Sequence, residues 1–183
     1  MPNIFRTPGI NGSAGVSGVN SFLQGATSPD KFIAQQYKKA FNEALNEAIK
    51  RLSNKKNQKC AALFGGQEAA IATLQNTEYR VLTLPGGGPK LDPKTGNYSV
   101  TGAQTNGPNS VFINDKGPFF DQRLPLPEGG FKIIDMGTGR RGRDFGALLL
   151  LHELGHQTGV FLSDSGDSKL NRSQTDKVLK ACF

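Results

Sequence analysis

Among its 183 residues the chain has no tryptophan and only two histidines, two cysteines, two methionines and three tyrosines. Each scarcity excludes something. Without tryptophan, and without any basic stretch interleaved with aromatics, there is no platform for stacking bases. The net charge of +7 therefore comes with no recognisable RNA- or DNA-binding motif, and no nucleic-acid partner is expected. No apolar run approaches the ~18 residues of a membrane-spanning helix, so a helical span is excluded. Arg6 is not followed by a long apolar region, so the start does not read as a secretion signal. The chain is expected to be soluble and monomeric. It is either exported by another route or the excised part of a larger polypeptide.

Cys60 and Cys182 stand too far apart for a C-x-x-C pair, and they do not complete a His/Cys zinc cluster. Two readings remain. In an exported protein they join and tie the C-terminal end to the first half, worth roughly 4 to 5 kcal/mol at best on the chain-entropy model. In a cytosolic protein they are two buried thiols.

The scarcity of histidine is the most informative. Both histidines fall in one stretch, Phe145 to Gly159, F-G-A-L-L-L-L-H-E-L-G-H-Q-T-G. His152, Glu153 and His156 have the spacing H-E-x-x-H, and residues four apart on a helix share one face. Both imidazoles can then reach one Zn²⁺ ion, with Glu153 beside it as general base rather than ligand. Three polar groups interrupting an apolar run are costly to bury without a common purpose.

Gly159, three residues after His156, is placed to end that helix, because glycine adopts the left-handed conformation of a C′ position cheaply. His152, Glu153, His156 and Gly159 together resemble the extended motif of the metzincin metallopeptidases, within the wider zincin class. The resemblance ends there. The position of that family's third ligand is Leu162, which cannot bind metal; no methionine follows the motif to form a Met-turn, and no tyrosine follows it. A phenol stabilising an oxyanion would have to be Tyr37, Tyr79 or Tyr98. No His or Glu lies beyond Glu153 other than His156, so the third ligand is sought among Asp164, Asp167 and Asp176. Asp164 is favoured over a plain turn role, Asp167 is next, and Asp176 is placed on the outer face of a terminal helix. The ending from His152 to Phe183 is also similar to C-terminal domains of bacterial secreted repeat proteins of the RHS type, which are often toxins or processing enzymes.

Order along the chain follows composition. Met1 to Thr27, rich in Gly, Ser, Asn and Ala, reads as a flexible tail or linker. Residues 28 to 183 form the expected domain, and 36% apolar residues suffice for one core. Ser28-Pro29-Asp30 predicts a helix start, with Ser28 as N-cap and Pro29 at N1. Ile33, Tyr37, Phe41, Ala44, Leu45, Ala48, Ile49 and Leu52 recur at three and four, predicting one long helix over 32–52. Its basic side, Lys38, Lys39, Lys50 and Arg51, continues into a loop with Lys55, Lys56 and Lys59, and reads as a solvated face.

A short helix is predicted over 68–74 and strands over 79–84, 111–114 and 130–135, with a hairpin arm over 97–101 in an otherwise loop-rich 90–110. The active-site helix is placed at about 144–158 and a terminal helix at 173–180. Gly86-Gly87-Gly88-Pro89 lacks the Lys-Ser/Thr of a phosphate loop and is read as a turn.

The fold class expected is α+β, zincin-like, with a small twisted sheet packed on long helices. The resemblance implies a substrate-binding edge strand, either Val111 to Asn114 or Tyr79 to Leu84. It also implies a zinc-dependent peptidase acting on peptide or protein substrates. The alternative is a non-catalytic toxin or interaction module in which zinc fastens the C-terminal loop, its signature a fourth protein ligand closing the site.

Overall fold

A computed structural model of the chain describes residues 28–91, 98–126, 129–135, 137–164 and 167–183. The expected tail, Met1 to Thr27, lies outside the described residues, as do Asn97 of the hairpin arm and Met136. Among the described residues, five helices and seven strands in three small sheets follow in the order α1 (Gln35–Leu52), α2 (Lys59–Leu63), α3 (Gln67–Asn76), β1 (Glu78–Leu82), β2 (Lys90–Leu91), β3 (Tyr98–Ser99), β4 (Ala103–Thr105), β5 (Ser110–Asn114), β6 (Arg123–Pro125), β7 (Phe131–Ile133), α4 (Gly142–Gln157) and α5 (Ser168–Cys182). This is an α+β arrangement. None of the described helices is long and apolar enough to cross a membrane.

The centre is α4. Its run from Phe145 to Leu151 is apolar on every side, and a helix of that kind must be covered all round. Phe145, Ala147, Leu148, Leu150, Leu151 and Leu154 are all buried. Fully burying each leucine contributes about 1.5 to 3 kcal/mol. The cover on one side is α1, whose stripe of Phe41, Ala44, Leu45, Ala48 and Leu52 is also buried. The two helices touch closely at Gly146, where an added Cβ would lie 2.7 Å from the Ala44 methyl. They run antiparallel, since Arg51 near the end of α1 faces Asp144 at the start of α4.

α4 also packs on a three-stranded sheet in the order β1-β5-β4, and Phe41 of α1 meets Tyr79 of β1 ring to ring at 4.8 Å. β1 and β5 are parallel, with Tyr79 opposite Val111; β4 and β5 are antiparallel, with Ala103 opposite Ile113. β5 is therefore the central strand, its Val111 and Ile113 fully buried. The expectation that Val111 to Asn114 could be a free edge is corrected, because both sides of that strand are paired. In the β4–β5 ladder, Gly102 accepts from Asn114 N (3.0 Å) and Asn106 donates to Ser110 O (2.8 Å). Backbone groups alternate in direction along a strand. Ala103 and Thr105 consequently turn theirs away from β5, on the side of β4 where no described strand pairs.

Other boundaries also shift. The long helix starts at Gln35, not at Pro29, because Ala34 is extended and residues 28–33 form two turns closed by Lys31 N to Ser28 O and Ile33 N to Asp30 O. The Ser28 hydroxyl donates to Asp30, which also accepts from Asn42 Nδ2 (3.2 Å) and faces Lys38 (3.5 Å), so the expected helix start folds over the first turns of α1, where Ile33 is buried. Lys59, expected in a loop, opens α2. The strands over 79–84 and 130–135 are observed as β1 and β7, each shorter or shifted, and β7 pairs with β6. β3, from the expected hairpin arm, pairs with β2. α5 begins five residues earlier than expected, at Ser168, because Asp167 caps it by accepting from Lys169 N and Leu170 N.

Cys60 on α2 and Cys182 on α5 are joined by a disulfide across 122 residues. It fastens the terminal helix to the α2 end of the helical layer.

Candidate metal centre

α4 ends as its sequence requires. Gly159 takes a left-handed φ of 71° and donates to His156 O, and Phe161 N then donates to Gly155 O at 2.9 Å. The chain folds back across the last turn of the helix. Phe161 lies against Gly155, and its ring forms a floor 5.6 Å from His152 and 5.9 Å from His156 between ring centres. Leu162 is 73% exposed and faces water; two residues on, Asp164 turns in.

Three side chains converge there. His152 Nε2 is 3.1 Å from Asp164 Oδ2 and 3.1 Å from His156 Nε2, and His156 Nε2 is 3.6 Å from Asp164 Oδ2. Among the described residues these three form a group that could hold a metal ion. The separations suit the task. A tetrahedral ion with bonds of about 2.0 to 2.1 Å keeps its donors about 3.3 Å apart.

The chemistry of the donors agrees. Thr175 Oγ1 lies 3.1 Å from His152 Nδ1. With the proton on Nδ1 and given to Thr175, Nε2 of His152 presents a lone pair to a carboxylate oxygen and to a second imidazole nitrogen. Electron pairs gathered in that way call for a positive charge among them. The donor set, two imidazoles and one carboxylate, is one that Zn²⁺ accepts.

Burial pushes the Asp164 carboxyl up. It is outweighed by the neighbouring imidazoles of His152 and His156 and by the Asn171 amide, which together hold the carboxyl below the ordinary carboxylate range. Asn171 Nδ2 donates to Asp164 Oδ2, the same oxygen that faces the imidazoles, at 2.8 Å.

Glu153, next to His152 in sequence, is only 6% exposed and is not one of the three. Its Oε2 accepts from Thr105 Oγ1 at 2.7 Å. The hydroxyl comes from β4, so the carboxylate lies against that strand of the sheet.

The remaining candidates fall elsewhere. Asp167 is the N-cap of α5, its carboxylate taken up by two backbone amides. Asp176 pairs on the surface with Arg172 at 3.3 Å. Tyr79 is excluded as an oxyanion donor, because it is 1% exposed and its hydroxyl bonds to Leu74 O. Burial pushes that phenol far up, the Glu153 charge adds to the rise, and Thr77 opposes it. Tyr37 packs against the ring of Phe120.

Thr105, Asn171 and Thr175 escape a motif search, since none belongs to a recognised spacing. A weak signal existed for the α5 pair. Asn171, Gln174, Thr175, Val178 and Cys182 recur at three and four, so the inward stripe of the terminal helix is polar in its first half. For Thr105 no signal existed.

The chain matches no protein-family model, no curated protein and no solved structure.

Proposed function

We propose that the protein is a zinc-dependent metallopeptidase of zincin-like architecture, hydrolysing amide bonds of a peptide or protein. The observation that carries this reading is the meeting of His152, His156 and Asp164 at ligand spacing, with Glu153 held alongside. His152 and His156 serve as neutral imidazole ligands and Asp164 as the anionic third. A catalytic site needs three protein donors and one position for water, whereas a structural site is closed by four. The described members of this group number three, which favours the enzyme over the zinc-fastened toxin or interaction module.

Bound Zn²⁺ supplies Lewis acidity, polarising the scissile carbonyl and bringing the pKa of water down to about 7. The rest falls to the chain. Glu153 accepts the proton of the attacking water and passes it to the leaving amine. Thr105 fixes the direction of that carboxylate. The outward N–H and C=O groups of Ala103 and Thr105 bind an extended substrate by strand addition, a mode indifferent to most side chains. β4 is preferred for this role to β1, the other edge strand of the sheet, because Thr105 on β4 meets Glu153.

The disulfide supports export to an oxidising compartment, where such bonds persist. Glu153→Gln is the decisive variant. It should keep one zinc per chain by elemental analysis and lose turnover of a quenched-fluorescence peptide library, whereas His152→Ala should lose both. Turnover retained by Glu153→Gln would refute the assignment.

A further inference from the structure

The terminal helix contributes none of the three converging residues, yet two of its side chains end on them and a third on the loop beside them. Thr175 meets His152 Nδ1, Asn171 donates to Asp164 Oδ2, and Gln174 Nε2 donates to Leu162 O at 2.9 Å in the loop between the ligands. Gln174 and Thr175 are each 2% exposed. An amide and a hydroxyl are costly to bury unless they find partners. Helix packing alone would be served better by apolar residues, as it is by Val178 on the same stripe. Thr175 and Asn171 find two of the converging residues, and Gln174 finds the loop between them through its Nε2, its Oε1 having no partner among the described residues.

We propose that Thr175 and Asn171 are positioning residues of the metal centre, and that the Cys60–Cys182 disulfide maintains their placement by fixing α5. The inference rests on the metal-centre reading. Only an unprotonated imidazole nitrogen binds metal. By accepting from Nδ1–H, Thr175 selects the tautomer with a lone pair on Nε2 and stops the ring from turning. Asp164 lies on a loop and its carboxylate can rotate. Asn171 occupies one lone pair of Oδ2 and leaves the other aimed between the imidazoles.

Both groups depend on the rotation of α5 about its axis. That rotation is pinned at the far end by the disulfide to α2, by Asn57 Nδ2 donating to Ala181 O (3.0 Å), and by Arg51 donating to Cys182 O (3.4 Å). Two helical turns separate Cys182 from Thr175.

The test is an equilibrium Zn²⁺ titration of the purified full chain against a chromophoric chelator, with Co²⁺ absorption spectra as a second readout. Thr175→Val and Asn171→Ala should each weaken Zn²⁺ binding about 10- to 100-fold and alter the Co²⁺ bands. Thr175→Ser, which keeps the hydroxyl, should stay within about threefold of wild type. Cys60→Ala/Cys182→Ala should also weaken binding, and adding Asn171→Ala to it should cost less than in the wild type, because the two changes act through one helix. Asn171 is half-buried, so Asn171→Ala carries the test should Thr175→Val fail to fold. Zn²⁺ affinities of Asn171→Ala and Thr175→Val within threefold of wild type, or a Thr175→Ser as weak as Thr175→Val, would overturn the proposal. A wild-type chain that binds neither Zn²⁺ nor Co²⁺ would overturn the metal centre and this proposal with it.

Discussion

Gly155 lies between the two histidines of the motif, and replacing it with alanine separates two opposed effects. In an ordinary helix interior Gly→Ala stabilises by about 0.5 to 1 kcal/mol, because alanine loses less backbone entropy on folding. Here the added methyl would land inside the Phe161 ring. That ring is 5% exposed and packs against Phe64 and both imidazoles, so it cannot move aside freely. Overpacking of this kind costs about 1 to 3 kcal/mol, occasionally more. With the propensity gain subtracted, Gly155→Ala should be destabilising by up to about 2 kcal/mol, measured by urea unfolding of the metal-free protein. Phe161 also begins the short stretch that brings in Asp164, so Zn²⁺ affinity should fall as well. Adding Phe161→Leu should return part of the stability, a coupling of opposite sign to simple additivity. If Gly155→Ala instead stabilises by about 1 kcal/mol and leaves Zn²⁺ binding unchanged, the packing of the loop on the helix is wrong.

Three further outcomes test other parts of the structure. Cys60→Ala/Cys182→Ala removes a cross-link across 122 residues, for which the chain-entropy model gives about 5 kcal/mol as an upper value. The loss should exceed about 2 kcal/mol in guanidinium unfolding, and a smaller one would mean that the ends of α2 and α5 are held independently of the bond. Thr105→Val should leave zinc content unchanged while lowering kcat by about tenfold or more, the measure of one lost hydrogen bond to a charged acceptor; equal rates would free Thr105 from any part in aiming Glu153.

The third concerns acid. Burial raises the Glu47 carboxyl, but hydrogen bonds and charge from Arg51 and Lys50 prevail and hold it below its ordinary value. A carboxyl depressed in the folded state contributes stability that is complete above its unfolded pKa, near 4.5, and is lost as the pH falls through the folded value. Wild type should therefore lose more stability between pH 6 and pH 3 than Glu47→Gln, as followed by urea midpoints. An identical pH dependence in the two proteins would show that the pair with Arg51 is worth nothing.

Much of this architecture was legible along the chain, for reasons of period. The α1 stripe from Phe41 to Leu52 repeats at three and four, and the apolar run of α4 leaves it no place but the interior. Both features survive because a long amphipathic or wholly apolar helix outweighs local competition. The cap at Ser28 failed for the opposite reason. The Ser28 hydroxyl donates to Asp30, which Asn42 and Lys38 hold from across space, and a cap is worth only about 1 kcal/mol. β4 and β6 are three residues each, too short to show alternation, and become strands only because β5 and β7 lie alongside.

By itself the sequence determined the part of the site that lives on one helix. Residues 152, 153 and 156 are related by a rise and a turn that any α-helix enforces, and Gly159 ends it by its own freedom at positive φ. Tertiary structure alone decided what approaches from elsewhere. Asp164 rather than Asp167 turns toward the imidazoles because one is drawn in by Asn171 while the other is taken by the backbone of α5. Thr105 reaches Glu153 across 48 residues, and Thr175 reaches His152 across 23. Contacts at that range depend on how the sheet and the terminal helix settle on α4, a matter of packing in three dimensions that no local spacing records.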